Sequence, residues 1–157
     1  METFVGIKRL KEKQKEQLLA FEKWAEADNW LAFHEAHYDW WMFPIDQPSR
    51  MGLMYTVNQS DIDNLKKDQE FMSNYLRGVE LLLLSWGWEL NKKSLISAPS
   101  EHQTWHNWPI RLSKCAQSLE LFGCTEAYES VVAYGRYLLS HGTDFTFRNK
   151  DLSERFR

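Results

Sequence analysis

Apolar residues recur at intervals of three and four along almost the whole chain, which is the spacing of one face of an α-helix. The segments are separated by turn and capping residues rather than by hairpin signals. The longest apolar segment has a stripe that Leu76 and Leu83 widen, so that most of its surface is predicted to be buried. The stripe consists of Phe71, Tyr75, Val79, Leu82 and Trp86. The pattern predicts an all-α fold, a single-domain bundle of about five to seven helices.

The first third of the chain predicts two helices. An amphipathic helix spans residues 8–27, and Asp28 and Asn29 then provide a break and a new N-cap. The second helix carries the stretch "NWLAFHEAHYDWWMF". We predict that it ends at Phe43, because Pro44 disfavours helical conformation in the residue before it.

Capping residues place the later helices. Ser60 and Asp63 resemble a capping box that opens a short helix. Gly87 ends the central helix, and Asn107 is the predicted N-cap of the next one, with Pro109 in its first turn. Thr125 is the predicted N-cap of the last helix.

Three other segments are predicted from the same signals. Lys66, Lys67 and Asp68 interrupt the chain between the short helix and the central one, and residues 89–105 read as a long polar surface loop. Residues 143–157 form a polar tail that is predicted to fray. The family-like core described below covers residues 30–140, within one domain of residues 1–157.

Charge and cysteine content narrow the class of protein. A net charge of −3 gives no electrostatic reason to expect a nucleic-acid partner. No apolar run reaches membrane-spanning length, so no membrane association is expected. The two cysteines, Cys115 and Cys124, form neither a CxxC motif nor a disulfide framework, and this favours a cytosolic protein.

The aromatic content is high, with eight Trp, nine Phe and six Tyr among 157 residues. It is densest just before Pro44. Trp40 and Trp41 are consecutive and therefore point about 100° apart around a helix, and Phe43 points elsewhere again. A helix buries one stripe, so we expect at least one of these rings to border a cleft while the others lock the fold.

Three blocks occur in a fixed order, "WWMFP", "KKDQEFMSNYLRGVELLLLSWGWEL" and "WHNWPIRLSKCAQSLELFG". In this order the chain resembles the opioid growth factor receptor conserved-domain family. Tyr38, Trp41, Phe43 and Pro44 match its His-x-Tyr and Trp-x-Phe-Pro signature, although His37 lies one position from the family histidine. The second block matches through Glu80, Leu81, Trp86 and Gly87. The third matches through His106, Asn107, Arg111, Ser113, Lys114, Ser118, Leu119 and Gly123, with one residue inserted at Trp108-Pro109.

The resemblance implies an α-helical domain and, for the animal members, an intracellular growth regulator that binds an enkephalin-type peptide. None of the three blocks is a catalytic motif, and the chain has no Ser-His-Asp order, P-loop or dinucleotide fingerprint. We therefore expect a binding protein and not an enzyme.

Our leading hypothesis is a cleft for a peptide or a small anionic ligand, bordered by the aromatic corner and by the start of the "WHNWPIR" helix, whose N-terminus favours an anion. In the simpler interpretation, Asn107 caps the helix and Arg111 pairs with an acid of another helix. The predicted ligand-binding residues are Tyr38, Trp41, Phe43, His106, Asn107, Trp108, Arg111 and Lys114.

Two alternatives come from other classes. Exposed Trp and Phe side chains would suit a protein–protein interaction or self-association domain. The pairs His34/His37 and His102/His106 lie three and four residues apart, and they would suit haem or metal ligation if their helix packed beside the long loop. We expect no metal or cofactor, because no ligand motif accompanies the histidines.

Overall fold

The computed structural model describes residues 3–157 and contains seven α-helices around one hydrophobic core, together with two short antiparallel hairpins. This confirms the predicted all-α class and helix number. The helices are α1 (Ile7–Glu26), α2 (Trp30–Glu35), α3 (Asp39–Met42), α4 (Gln59–Lys66), α5 (Gln69–Ser85), α6 (Pro109–Leu121) and α7 (Thr125–Ser140). The strands are β1 (Trp88–Glu89), β2 (Ser94–Leu95), β3 (Thr146–Phe147) and β4 (Lys150–Asp151), and a 3₁₀ turn follows at Glu154–Phe156.

Helix α5 is the centre of the bundle and contacts α1, α2, α4 and α7. The five residues of its predicted stripe are buried, as is Leu83. Leu76 is 37% exposed, so the buried face is narrower than predicted. Burial of each large apolar side chain stabilises the fold by about 1.5–3 kcal/mol, so α5 contributes substantially to the stability of the core. No helix in residues 3–157 is both long enough and apolar enough to span a bilayer.

The predicted second helix is interrupted, and the expectation of one helix up to Phe43 is wrong. Helix α2 ends at Glu35, and Ala36 adopts an extended conformation before α3 begins. In an unbroken helix the carbonyl of Phe33 would accept from the amide of residue 37. Here it accepts from the Arg111 guanidinium at 2.8 Å, and the Ala36 carbonyl does the same at 2.8 Å. A side chain from α6 therefore replaces the helical hydrogen bonds at the break.

Three predicted caps are also wrong. The capping box of α4 is formed by Asn58 and Asp61, and Ser60 lies inside the first turn. Asn107 has a φ of 60°, and the N-cap of α6 is Trp108, which gives no side-chain cap. Thr125 is the first residue of α7 and not its cap. Pro109 opens α6 as predicted, since the first helical position needs no amide donor.

Two segments predicted to be irregular are ordered. The polar stretch 89–105 contains most of the β1–β2 hairpin, and it buries Gln103, whose Nε2 donates to the Leu84 carbonyl at 2.9 Å. The expectation that the tail frays is wrong, because β3 and β4 pair and Phe145 and Phe156 enter the core. Gly135 of α7 allows this: a Cβ there would lie 2.3 Å from the Phe156 ring.

A short hydrogen-bond chain joins the three sequence blocks inside the core. The Ser118 hydroxyl of α6 donates to the Pro44 carbonyl at 2.7 Å. Because this uses its only proton, the Tyr75 hydroxyl of α5, 2.7 Å away, must donate to Ser118. All three blocks therefore contribute to one satisfied polar contact between α3, α5 and α6.

Candidate functional site

A cavity of about 700 Å³ lies between α3, α6, the loop that follows α3, and the β3–β4 hairpin. Its volume falls in the range of about 300–1,000 Å³ that is usual for small-molecule sites. Its apolar lining includes Trp40, Ile110, Phe147, Leu152 and Trp108. The cavity is therefore large enough, and apolar enough, to hold a small organic molecule.

Two half-buried tryptophans, Trp40 and Trp108, line the cavity. The ring of His37 lies near both, with its centroid 6.0 Å from that of Trp108 and 6.3 Å from that of Trp40. The Trp108 Nε1 donates to the His34 carbonyl at 3.0 Å, and this fixes the indole. The Arg111 guanidinium lies 4.6 Å from the Trp108 ring centroid. Trp108 thus offers the cavity ring surface, because its one donor is already used.

Positive charge dominates the polar lining. Four cationic side chains line the cavity, and against them stands one carboxylate, Asp39. That carboxylate already forms an ion pair with the buried Arg111 at 2.8 Å. None of the four cations forms an ion pair within 4.0 Å with a carboxylate of residues 3–157. They are Arg50, Lys114, Arg148 and Lys150.

Lys114 differs from the other three because it is buried, with 9% of its surface exposed, whereas the other three side chains are exposed. Its Nζ lies 5.5 Å from the Trp40 ring centroid. Burial lowers the pKa of the Lys114 ammonium, and the Asp39 carboxylate opposes this effect while Arg111 adds to it. An ammonium in this position has lost much of its hydration without gaining a carboxylate partner in the described part of the chain.

Arg111, which the sequence suggested as a ligand contact, is a core residue with 1% of its surface exposed. Its guanidinium lies between the rings of Tyr38 and Trp108, at 4.3 and 4.6 Å from their centroids. Four of its five donors are used, on the Asp39 carboxylate, the Tyr38 hydroxyl and the two carbonyls at the helix break. The simpler interpretation of Arg111, an ion pair with an acid of another helix, describes what it does.

The eight predicted site residues separate into three groups. Trp108 and Lys114 line the cavity. Tyr38, Phe43 and Arg111 are buried in the core and do not line it. The remaining three, Trp41, His106 and Asn107, lie outside it, the first half-buried and the other two exposed.

Trp41 faces α1 and not the cavity. Its Nε1 donates to Gln17 at 3.2 Å, the Nζ of Lys13 lies 4.0 Å from its ring centroid, and Tyr55 packs edge-on at 5.3 Å. Trp41 and Arg111 do not line a common cavity, and the positions that do are the neighbouring Trp40 and Lys114. The two consecutive tryptophans thus point in different directions, as their spacing indicated. Trp40 lines the cavity, and Trp41 contacts α1.

Sequence reasoning missed the contribution of the tail. The hairpin brings Arg148 and Lys150 to the cavity, together with Phe147. Arg148 and Asn149 have φ values of 51° and 66°, the two positive angles of a tight hairpin turn. The signal was available, because Phe145 and Phe147 alternate with polar residues ahead of an Asn in the stretch "FTFRNK".

The two histidine pairs come together without converging on a common point. His34 and His106 stack with ring centroids 4.8 Å apart and an interplanar angle of 8°. The His34 Nε2 donates to the His102 carbonyl at 2.7 Å, and its buried Nδ1 has no partner in residues 3–157. Within that range no group of three His, Cys, Asp or Glu side chains is placed to hold a metal ion.

His34 should make stability depend on pH. Burial lowers its pKa, the His102 carbonyl opposes this, and positive charge on His106, Arg111 and His102 lowers it further. The unfolded chain therefore binds a proton at a pH where the folded chain does not. Its stabilising contribution is complete above about pH 6.5 and is lost as the pH falls toward the folded pKa. Urea midpoints at pH 7.5 and 5.5 should differ less in His34→Phe than in the wild type.

The matched control for this experiment is His141→Phe, which changes an exposed histidine of the same type. It should keep the wild-type difference between the two midpoints. If His34→Phe keeps that difference as well, the pH dependence has another origin.

No family model, curated protein or solved structure matches this chain.

Proposed function

We propose that this protein is a binding module for a small anionic ligand, held in the cavity between α3, α6 and the β3–β4 hairpin. The observation that carries the proposal is Lys114, a buried ammonium that lines the cavity without a carboxylate partner. An anionic group in the cavity supplies the missing counter-charge, and the low local dielectric strengthens that interaction.

The charge balance supports an anion in preference to a neutral ligand. The cavity lining carries four positive groups and one negative group, and Arg111 already neutralises the negative one. The chain as a whole has a net charge of −3, so the positive lining is a local feature. Local potentials of this kind raise the concentration of oppositely charged ligands at a site.

Binding, and not catalysis, is the activity we propose. The thiol of Cys115 is buried, and burial raises its pKa, so it is not a reactive nucleophile. Asp39 is engaged by Arg111, which leaves the cavity without an unpaired carboxylate to act as a general base.

We also propose a cytosolic protein related in fold to the opioid growth factor receptor conserved domain. The unpaired thiols Cys115 and Cys124 support the cytosol. The contact of Ser118 with Tyr75 and Pro44 supports the relationship, because it gives the three blocks a shared structural role. Under this proposal the chain shares the packing of its core with the family, and the residues that line the cavity determine which ligand it binds.

Lys114→Met is expected to abolish anion binding and to leave stability unchanged or raise it by up to about 1 kcal/mol, because Met keeps the apolar stem and removes a poorly solvated charge. Tryptophan fluorescence titrated with inorganic phosphate, benzoate and phenyl phosphate measures binding, and thermal unfolding measures stability.

The matched control is Lys67→Met, which removes an exposed lysine outside the cavity. It should leave anion binding as in the wild type. A Kd of 10 mM corresponds to a binding free energy of about −2.7 kcal/mol. If none of the three anions binds the wild-type protein at this concentration, the proposed function is refuted.

A further inference from the structure

We infer that the ligand combines a planar aromatic ring with a phosphate group. This inference rests on the proposed function and names the chemical class of the anion. It follows from two features of the lining. The rings of Trp40, Trp108 and His37 lie close together, and we call them the aromatic end. Four cationic side chains are contributed by three different segments.

The aromatic end selects a ring by its shape. The indole of Trp108 is fixed by its hydrogen bond to the His34 carbonyl and is backed by the Arg111 guanidinium. It therefore presents a rigid ring surface with no donor left, and aromatic rings favour stacked or edge-to-face partners. Such pairs add about 0.5–1.5 kcal/mol beyond the burial of area, and an aliphatic ligand of the same size forgoes that gain.

Trp40 gives the same end a second ring. It is half-buried, and its ring lies beside that of Trp41 at a centroid distance of 5.8 Å, which limits its rotation. Its Nε1 forms no hydrogen bond within residues 3–157, and it remains a donor for a heteroatom of the ligand. The two indoles thus provide ring surface and one donor, which suits an aromatic group with polar edges.

The arrangement of the cations selects the charge of the ligand. Lys114 comes from α6, Arg148 and Lys150 come from the hairpin, and Arg50 comes from the loop after α3. Cations on separate walls repel one another when the cavity is empty. A monoanionic carboxylate has two oxygens, whereas a phosphate carries a charge of about −1.5 to −2 and three acceptor oxygens, so it can bridge groups from more than one wall.

A ring joined to a phosphate occurs both in mononucleotides and in phosphotyrosine. The lining of the cavity suits the chemistry that both share, an aromatic phosphate monoester. An experiment is needed to distinguish the nucleotide from phosphotyrosine. We therefore choose phenyl phosphate as the basic probe, with adenosine monophosphate and phosphotyrosine as the two arms.

The experiment is isothermal titration of the full chain with phenyl phosphate, inorganic phosphate, benzoate and phenol at one ionic strength and neutral pH. Phenyl phosphate is expected to bind at least about tenfold more tightly than each of the other three, which corresponds to about 1.4 kcal/mol. Adenosine monophosphate and phosphotyrosine are then titrated in the same way. The one that binds more tightly than phenyl phosphate identifies the class of the ligand.

The possible failures are distinguishable. If inorganic phosphate binds as tightly as phenyl phosphate, the aromatic ring does not contribute to affinity. If benzoate binds as tightly as phenyl phosphate, the second negative charge of the phosphate does not contribute to affinity. Either result overturns this inference and leaves the proposed function standing. If phenol binds as tightly as phenyl phosphate, or if no probe binds, the inference and the proposed function both fall.

Two variants with matched controls locate the binding. Trp40→Leu should reduce phenyl phosphate affinity to that of inorganic phosphate. Trp24→Leu, which alters a half-buried indole of α1 outside the cavity, should preserve the difference. Because Trp40→Leu alters a half-buried ring, Arg148→Gln provides a second variant at an exposed position. It should weaken phenyl phosphate binding about fivefold to tenfold, and the exposed Arg136→Gln should not. Equal binding by Arg148→Gln and wild type would overturn the inference.

Discussion

Replacing Arg111 by Met is expected to lower the free energy of unfolding by about 3–5 kcal/mol, the range for breaking a buried ion pair by removal of one partner. The variant leaves the Asp39 carboxylate without its cation. It also removes the donor to the carbonyls of Phe33 and Ala36 and to the hydroxyl of Tyr38. Each unsatisfied buried group costs about 1–3 kcal/mol. Urea unfolding followed by far-UV circular dichroism measures the loss.

Arg77→Met is the matched control. Arg77 also makes ion pairs at 2.7 and 2.8 Å, with Glu80 and Glu22, but its side chain is 42% exposed. Exposed pairs contribute about 0–1 kcal/mol, so this variant should lose no more than that. In the Arg111→Met background, Asp39→Asn should recover part of the loss, because it removes the orphaned charge. Equal losses in Arg111→Met and Arg77→Met would show that the buried network does not stabilise the fold.

The second large effect is expected for Phe156→Ala, which should lose about 3–5 kcal/mol, the usual range for Phe→Ala in a core. Phe156 is 1% exposed and packs on Phe145 at a centroid distance of 5.3 Å and on Gly135 of α7. Because this contact anchors the segment that carries the β3–β4 hairpin, the variant should also lose anion affinity. Thermal unfolding and the phenyl phosphate titration measure the two effects.

A pair of glycine substitutions tests the same contact without removing an aromatic ring. In Gly135→Ala the new methyl group would lie 2.3 Å from the Phe156 ring, and the ring must move. In Gly78→Ala the nearest atom is the terminal methyl group of Met42 at 2.6 Å, which a flexible side chain can withdraw. Gly135→Ala should therefore displace the tail while Gly78→Ala is tolerated. A Gly135→Ala protein with unchanged stability and anion affinity would show that the tail is not anchored through this contact.

The regular elements of the fold are predictable from the sequence because their signals are local. The stripe from Phe71 to Trp86 identifies α5, and the glycines at 87, 123 and 142 mark helix ends, each with a positive φ. The errors at the caps of α4, α6 and α7 are shifts of one or two residues. The two larger errors occur where a distant side chain contacts the segment. The break after Glu35 depends on Arg111, and the order of the tail depends on Phe156 finding Gly135.

The candidate site was predictable only in outline, for the same reason. Trp108 and Lys114 are among the residues named from the sequence, and they do line the cavity. The sequence shows that Trp40 and Trp41 point in different directions, but only the packing of α1 decides which one is covered. Arg148 reaches the cavity through the β3–β4 hairpin, where β3 contacts α6 and the 3₁₀ turn that follows the hairpin contacts α7. The sequence thus indicated aromatic and cationic side chains as the kinds of residue in the site, but it identified only two of the positions that line the cavity.

The break between α2 and α3 also has a consequence for how the chain folds. The local sequence from Asn29 to Phe43 favours an unbroken helix, and Arg111, 72–78 residues away, is needed to interrupt it. Contacts across so long a loop form late, since loop-closure entropy opposes them. We therefore expect this segment to stay locally frustrated until α6 docks, and its native shape to form together with that docking.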